Sequence, residues 1–192
     1  IALAPVMERN AALSLVPRLY ARASDRKLAA ALVERTLAEY LQRPDNAAAA
    51  WTAIGRMRLA AGETAGAVEA ASRAQAAGPT QEGPALLALE LVSPSQPQAE
   101  ALVRRYLDSA QAIPEIRMAY ARVLLDAQRY PDARVQLQSI TERRPGMAEA
   151  WLMLGVLQAQ ESQSDAAEAS LKRYIELAQA GGQADERARG LA

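Results

Sequence analysis

The chain has 192 residues, of which 51% are apolar and 23% are charged, so it is long enough to bury a core and is unlike a disordered segment. Its 22 basic residues balance 22 acidic ones, which argues against a general attraction to nucleic acid or to an anionic membrane. Because the sequence contains no histidine and no cysteine, it excludes disulfides, thiolate nucleophiles and the usual ligand sets of zinc sites.

Membrane and compartment signals are few. No apolar run reaches about 18 residues, so we predict no transmembrane segment. The chain begins at Ile1 rather than Met, which favours a piece of a longer protein whose targeting signal would lie elsewhere. A chain without cysteine is compatible with a bacterial cell envelope or periplasm, and equally with the cytoplasm.

The N-terminal part predicts helices of irregular pattern. Residues 1–12 fit the second helix of a preceding pair or an unpacked end. Residues 13–47 fit one degenerate helix pair, which ends at Arg43-Pro44-Asp45-Asn46. Apolar positions at helical spacing define its two helices, with Leu15, Leu19, Tyr20 and Ala23 in the first and Ala29, Val33, Leu37 and Tyr40 in the second.

A repeat becomes visible from Trp51 onward. Trp51-Thr-Ala-Ile-Gly recurs as Trp151-Leu-Met-Leu-Gly, and a weaker copy begins at Arg117, so the steps are 66 and 34 residues. Three alanines keep the same spacing, namely Ala67, Ala133 and Ala167. A step of 66 holds two units, which predicts repeats at 48–80, 81–113, 114–147 and 148–181.

Each repeat predicts two helices separated by a break near its middle. The breaks are Gly62, Ser93-Pro94-Ser95, Arg129-Tyr130-Pro131-Asp132 and Ser162-Gln163-Ser164-Asp165. Gly181-Gly182 predicts the end of the last helix, with residues 182–192 as the start of a further helix or a tail. We therefore expect a truncated array, whose exposed end would favour self-association.

These landmarks resemble the tetratricopeptide repeat family. In 48–80 the family's marked places are filled by Trp51, Ile54, Gly55, Ala67, Ala71, Ala74 and Pro79. The resemblance implies an all-α fold, a right-handed α-solenoid of about five helix pairs that forms a single domain over 1–192. It also implies a non-catalytic scaffold or adaptor that binds a protein or peptide.

A narrower resemblance is to alanine-rich proteobacterial cell-envelope proteins with such repeats. Some of these are outer-membrane lipoproteins that act as adaptors for carboxy-terminal processing proteases. The segments 114–125 and 171–177 carry this resemblance.

Motifs of catalysis are absent from the sequence. It has no phosphate-binding loop ending in Lys-Ser/Thr, no Gly-x-Ser-x-Gly elbow and no histidine pair for a metal. Its carboxylates fall on polar helix faces, where solvated ion pairs such as Glu168 with Lys172 are the simpler interpretation. We predict no enzymatic activity, no cofactor and no metal.

The family resemblance also implies where a partner would bind. In this family the first helices line a concave groove, and the residue after the Gly of the Leu-Gly pair points into it. The resulting candidates are Arg56, Leu59, Leu89, Val92, Met118, Arg122, Leu125, Leu152 and Val156. Such a groove would accept an amphipathic helix or extended peptide, with the two arginines either pairing acidic groups or simply solvated.

Two other functions stay open at this point. The groove could be filled by a flanking segment or a second copy, which would make the chain a self-assembly or structural module. Alternatively, the chain could be an accessory domain of a larger enzyme.

Overall fold

The computed structural model describes Tyr20 and residues 22–190, and in this part of the chain the secondary structure is helical without a strand. The described helices are α1 (Arg26–Leu41), α2 (Pro44–Ala60), α3 (Thr64–Ala77), α4 (Glu82–Glu90), α5 (Pro97–Leu107), α6 (Pro114–Asp126), α7 (Tyr130–Arg143), α8 (Ala148–Gln160) and α9 (Ser164–Gly190). Short connections join them, so neighbours in sequence pair as antiparallel helices. The predicted all-α class is confirmed.

The helices group into two compact units, with the boundary between Ala112 and Ile113. The N-terminal unit contains α1–α5 and the C-terminal unit contains α6–α9. In each unit a helix packs against the next helix along the chain, and in the N-terminal unit α2 also packs on α4 and α3 on α5. This successive packing of helix pairs is typical of a solenoid.

Small residues permit the closest helix contacts in both units. A Cβ atom on Gly55 of α2 would lie 2.3 Å from Leu87 Cδ2 in α4 and 3.3 Å from Ala70 Cβ in α3. A Cβ atom on Gly155 of α8 would lie 2.8 Å from Leu171 Cγ in α9. The sequence pattern predicted close approach by the second helix of the same repeat, and Gly55 in addition admits the first helix of the next repeat.

Large apolar side chains fill the space around these crossings. The largest fully buried apolar side chains of the N-terminal unit are Ile54, Met57, Leu87, Val103 and Tyr106. Those of the C-terminal unit are Ile116, Tyr120, Leu124, Leu137, Ile140 and Leu157. Their burial stabilises each unit by removing apolar surface from water, and the alanines beside them keep the helices close.

One turn geometry recurs between the helices of three pairs. Gly62, Gln128 and Ser162 adopt left-handed backbone conformations, with φ of 80°, 58° and 61°. After each of them the next residue donates its N–H to a carbonyl five residues earlier, as from Glu63 to Arg58 at 2.9 Å. These bonds form a Schellman motif that satisfies the last carbonyl groups of the first helix. The three residues are spaced by 66 and 34, which is the period of the sequence repeat.

The start of α2 lies earlier than the sequence pattern suggested. Pro44 occupies the first turn of α2, which begins before the predicted repeat start at 48. Proline suits this place because its fixed φ matches the helix and its missing N–H would be unbonded there in any case. The connection from α1 is therefore reduced to Gln42 and Arg43.

The predicted break at Gly181-Gly182 was wrong, because α9 continues through both glycines to Gly190. Glycine lowers helix stability by about 1 kcal/mol relative to alanine but does not forbid a helix, and alanine precedes this pair. Leu15, Leu19 and the rest of 1–19 lie outside the described residues, as do Leu191 and Ala192.

Candidate functional site

Four of the candidate residues form what we call the N-terminal first-helix surface: Arg56, Leu59, Leu89 and Val92. Arg56 and Leu59 lie on α2, whereas Leu89 is near the end of α4 and Val92 follows it. All four are partly buried. The Arg56 Nη2 atom lies 3.3 Å from Glu90 Oε1, so the cation already has an acidic neighbour from the next first helix.

Another four candidates form the C-terminal first-helix surface: Arg122, Leu125, Leu152 and Val156. Leu125 and Leu152 are partly buried, and Val156 keeps 47% of its surface exposed. Arg122 of α6 forms an ion pair with Glu149 of α8, and about half of each side chain is exposed. This surface therefore combines an exposed apolar position with a paired cation.

Met118 lies outside both surfaces. Its side chain is 3% exposed, because the position one turn before Arg122 faces the interior of the packing. Thr52 and Ala85 hold the corresponding position in the N-terminal unit and are buried as well. A contact between Met118 and a partner stays a prediction, and it would require a local rearrangement.

Sequence reasoning missed the two glutamates of these ion pairs. Glu90 is the last residue of α4, whereas Glu149 lies in the first turn of α8. The arginines share one register, at a step of 66 residues, but the glutamates do not. A search by repeat position could therefore find the cations and could not find their partners.

The two tryptophans make different polar contacts although they share a repeat position. The guanidinium of Arg73 lies over the Trp51 ring, 4.7 Å from its centroid. The Trp151 Nε1 atom donates a hydrogen bond to the Pro145 carbonyl oxygen at 2.9 Å. Both side chains are only partly buried, and Trp51 packs against the cluster around Leu37 and Ile54. Packing between helices accounts for Trp51, and Trp151 is held by its hydrogen bond to the carbonyl before α8.

The charged side chains of the described residues form ion pairs on helix surfaces. Among the side chains that the structure describes, which end at Gly181, no group of three or more Asp or Glu side chains is placed to hold a metal ion. In the same part of the chain, no helix combines the length and apolarity needed to cross a membrane.

Comparison with known proteins identifies the repeat family of the fold. The sequence model described as tetratricopeptide repeat matches residues 18–82, 80–139 and 118–184. None of the curated proteins matches the sequence significantly.

Solved structures show the same architecture at low sequence identity. The crystal structure of MamA is 12% identical, with 81% of this chain and 90% of that chain covered and a TM-score of 0.60. The crystal structure of YrrB, described as a TPR protein with an unusual peptide-binding site, is 22% identical, with 91% and 85% covered and a TM-score of 0.53.

Stacked helix pairs of this kind serve as protein-interaction modules, because the surfaces that they present are extended and variable. The matched segments together run from residue 18 to residue 184. The chain therefore belongs to the tetratricopeptide repeat family.

Proposed function

We propose that this chain is a non-catalytic adaptor that binds a peptide or helix of another protein on its first-helix surfaces. The observation that carries the proposal is the exposure of Val156, 47%, on the helix whose first turn holds Glu149 of the Arg122–Glu149 ion pair, with the partly buried Leu152 one turn before Val156. An apolar side chain exposed beside charged groups that fix orientation is typical of peptide-binding surfaces.

The N-terminal first-helix surface supports the same function. Leu59, Leu89 and Val92 are partly buried beside the Arg56–Glu90 pair, so this surface offers apolar contacts and hydrogen-bond donors together. An amphipathic segment could place its apolar side chains on the leucines and its polar side chains on the arginine. Arg56 and Arg122 would pair carboxylate groups of the partner.

Two finer points belong to this proposal. The narrower resemblance of 114–125 and 171–177 supports an envelope adaptor of the kind that serves a processing protease. The bacterial envelope is accordingly the compartment in which a partner should first be sought.

Two valines of the C-terminal unit allow a matched test. Val156 lies on α8, a first helix, and Val135 lies on α7, a second helix, and both are strongly exposed, at 47% and 58%. A partner would be captured with the full-length protein from its native organism, and its affinity measured for Val156→Asp and Val135→Asp. A buried aspartate in the interface would weaken binding about tenfold or more, which corresponds to about 1.4 kcal/mol.

We expect Val156→Asp to weaken the partner's affinity and Val135→Asp to leave it within about twofold of the parent value. Circular dichroism would verify that both variants keep the parent helix content. Equal affinities of the parent chain and Val156→Asp, or a loss confined to Val135→Asp, would reject the first-helix surface as the binding site.

A further inference from the structure

The last described helix carries an apolar face whose counterpart in α7 is covered. Leu137 and Thr141 of α7 are buried, and α8 packs on α7. One repeat of 34 residues later, the same positions are Leu171, which is partly buried, and Ile175, which is 51% exposed. Together with the partly buried Tyr174, these two residues of α9 form what we call the α9 end face.

The same positions are covered in the N-terminal unit as well. Ala71 and Gln75 of α3 precede Leu137 and Thr141 by 66 residues, and both are buried. The next first helix, α4, packs on α3 as α8 packs on α7. In both places, therefore, the helix that packs on this element is the first helix of the following repeat.

The composition of the α9 end face is that of an interface. The outer face of a terminal repeat is normally polar, because it meets water. Here Ile175 stands where α7 has Thr141, so the uncovered helix is more apolar at this position than the covered one. An apolar patch at the end of a repeat array marks a site for another protein segment.

The residues that follow α9's end face in the chain lie too far away to cover it. Residues 144–147 reverse the chain between α7 and α8. One repeat later the reversal would fall at 178–181, but α9 continues through this segment to Gly190. A helix rises about 1.5 Å per residue, so Gly190 lies about 22 Å beyond Ile175 along the helix axis. The covering helix must therefore come from elsewhere.

A second copy of the chain has no described first helix to spare. The first helices α2, α4, α6 and α8 each bury apolar side chains within the chain. Freeing one of them for a second copy would expose those side chains to water, which opposes the exchange. A partner of a different sequence is therefore the occupant that the described helices favour.

Helix α8 shows what such a partner helix must present. Gly155 of α8 approaches Leu171 of α9. Ala150 and Leu157 are buried on another side of α8, two turns apart, and α7 is the other helix packed on α8. A helix that fits α9 in the same way needs a small residue and a leucine-like residue at this spacing, on a face without charge.

We propose that the α9 end face binds an apolar helix of another protein, which stacks on α9 as α8 stacks on α7. This face lies on a second helix and is separate from the first-helix surfaces. The inference therefore adds a second binding site to the chain and goes beyond the proposed function.

A displayed library of helical peptides of about 18 residues, long enough to hold a helix, tests this inference. Peptides are selected on the parent chain, and those that also bind the Ile175→Asp chain are discarded. We expect retained peptides that carry a small residue and leucine, isoleucine or methionine at the spacing of Ala150 and Leu157. Aspartate in place of the larger of these two residues should weaken peptide affinity about tenfold or more.

Three variants of the chain provide the controls. Val156→Asp alters a first-helix surface and Val135→Asp alters an exposed position of α7, and both should leave the affinity of the retained peptides within about twofold of the parent value. Ile175→Leu keeps the α9 end face apolar and should leave the affinity within about threefold. Circular dichroism would verify that Ile175→Asp keeps the parent helix content.

Three results would overturn the inference. The first is a selection that retains no peptide dependent on Ile175, and the second is a set of retained peptides that Val156→Asp weakens about tenfold or more. The third is a parent chain that sediments as a dimer and that Ile175→Asp returns to a monomer, because a second copy would then be the occupant. The proposed function is tested separately by the captured partner and Val156→Asp, so either can fail while the other stands.

Discussion

At the scale of single residues, glycine at a helix crossing sets how closely the helices approach. Gly55 is surrounded by Leu87 in α4 and by Ala67 and Ala70 in α3, at 2.3 to 3.5 Å from the place of a Cβ atom. The sequence pattern identified this position, because a small residue recurs there as Ala121 and Gly155. It did not reveal that Leu87 of the next repeat is the nearest neighbour.

Gly55→Ala should therefore destabilise the chain, although alanine is the better helix former. The added methyl group must displace the fully buried Leu87, and overpacking of this kind costs about 1–3 kcal/mol. Urea denaturation followed by circular dichroism measures the change in the free energy of unfolding.

Gly181→Ala is the matched control, since among the described residues no atom outside the local helix backbone lies within 4 Å of a Cβ placed there. It should stabilise the helix by up to about 1 kcal/mol. If the Gly55→Ala chain is as stable as the parent, the contact between α2 and Leu87 is looser than the 2.3 Å between the added Cβ and Leu87 Cδ2 implies.

The same distinction applies to the arginines and their acids. Repeat position predicted Arg56 and Arg122, because both follow the small residue of the first helix. Glu90 and Glu149 could not be predicted in this way, since long side chains from different positions reach the arginines only after the helices have packed. Ion pairs of this kind depend on tertiary structure.

At the scale of helices, the predicted breaks lie at helix ends where the chain reverses, and the predicted break at Gly181-Gly182, where it does not reverse, was wrong. Gly62 and the segments at 129–132 and 162–165 lie at observed helix boundaries. Pro44 starts α2, and Gly181-Gly182 lies inside α9. Proline and glycine are compatible with more than one local structure, and neighbouring packing decides which one forms.

The recurring Schellman turn predicts that two of its residues are suboptimal. Gln128 and Ser162 have positive φ, where a side chain costs about 1–2 kcal/mol that glycine avoids. Gln128→Gly and Ser162→Gly should each raise the free energy of unfolding by about 1 kcal/mol, as measured by thermal and urea unfolding.

Ala127→Gly is the control for these substitutions, because Ala127 precedes Gln128 and has a φ of −81°. Glycine there gains no conformational relief and should lower stability by up to about 1 kcal/mol. Destabilisation of the chain by Gln128→Gly and Ser162→Gly as well would contradict the left-handed geometry of the turns.

At the scale of the whole molecule, the repeat period predicted the all-α class and the family. The spacing of small and aromatic residues equals the length of one helix pair, so it indicates such pairs directly. It did not predict the division into two compact units at Ala112 and Ile113. This division depends on how densely neighbouring helices pack, which residue spacing does not encode. The right-handed superhelix stays a prediction.

Self-association is the principal alternative at this scale. Leu28 and Leu32 on α1 and Ile175 on α9 are exposed apolar side chains, at 68%, 56% and 51%, and a second copy could cover them. We expect the chain to sediment as a monomer at all concentrations, with its first-helix surfaces free. A dimer that Leu32→Asp or Val156→Asp dissociates would favour the self-assembly function instead.

The most direct test of the adaptor function titrates the isotope-labelled chain with a peptide from the captured partner. Backbone amide chemical shifts report which residues the peptide contacts. We predict that the shifts change at Leu152, Val156 and Arg122, and that they stay constant at Val135 and Ile175 on the second helices. Shifts that change at Val135 and Ile175 while those at Leu152 and Val156 stay constant would contradict binding on the first-helix surfaces.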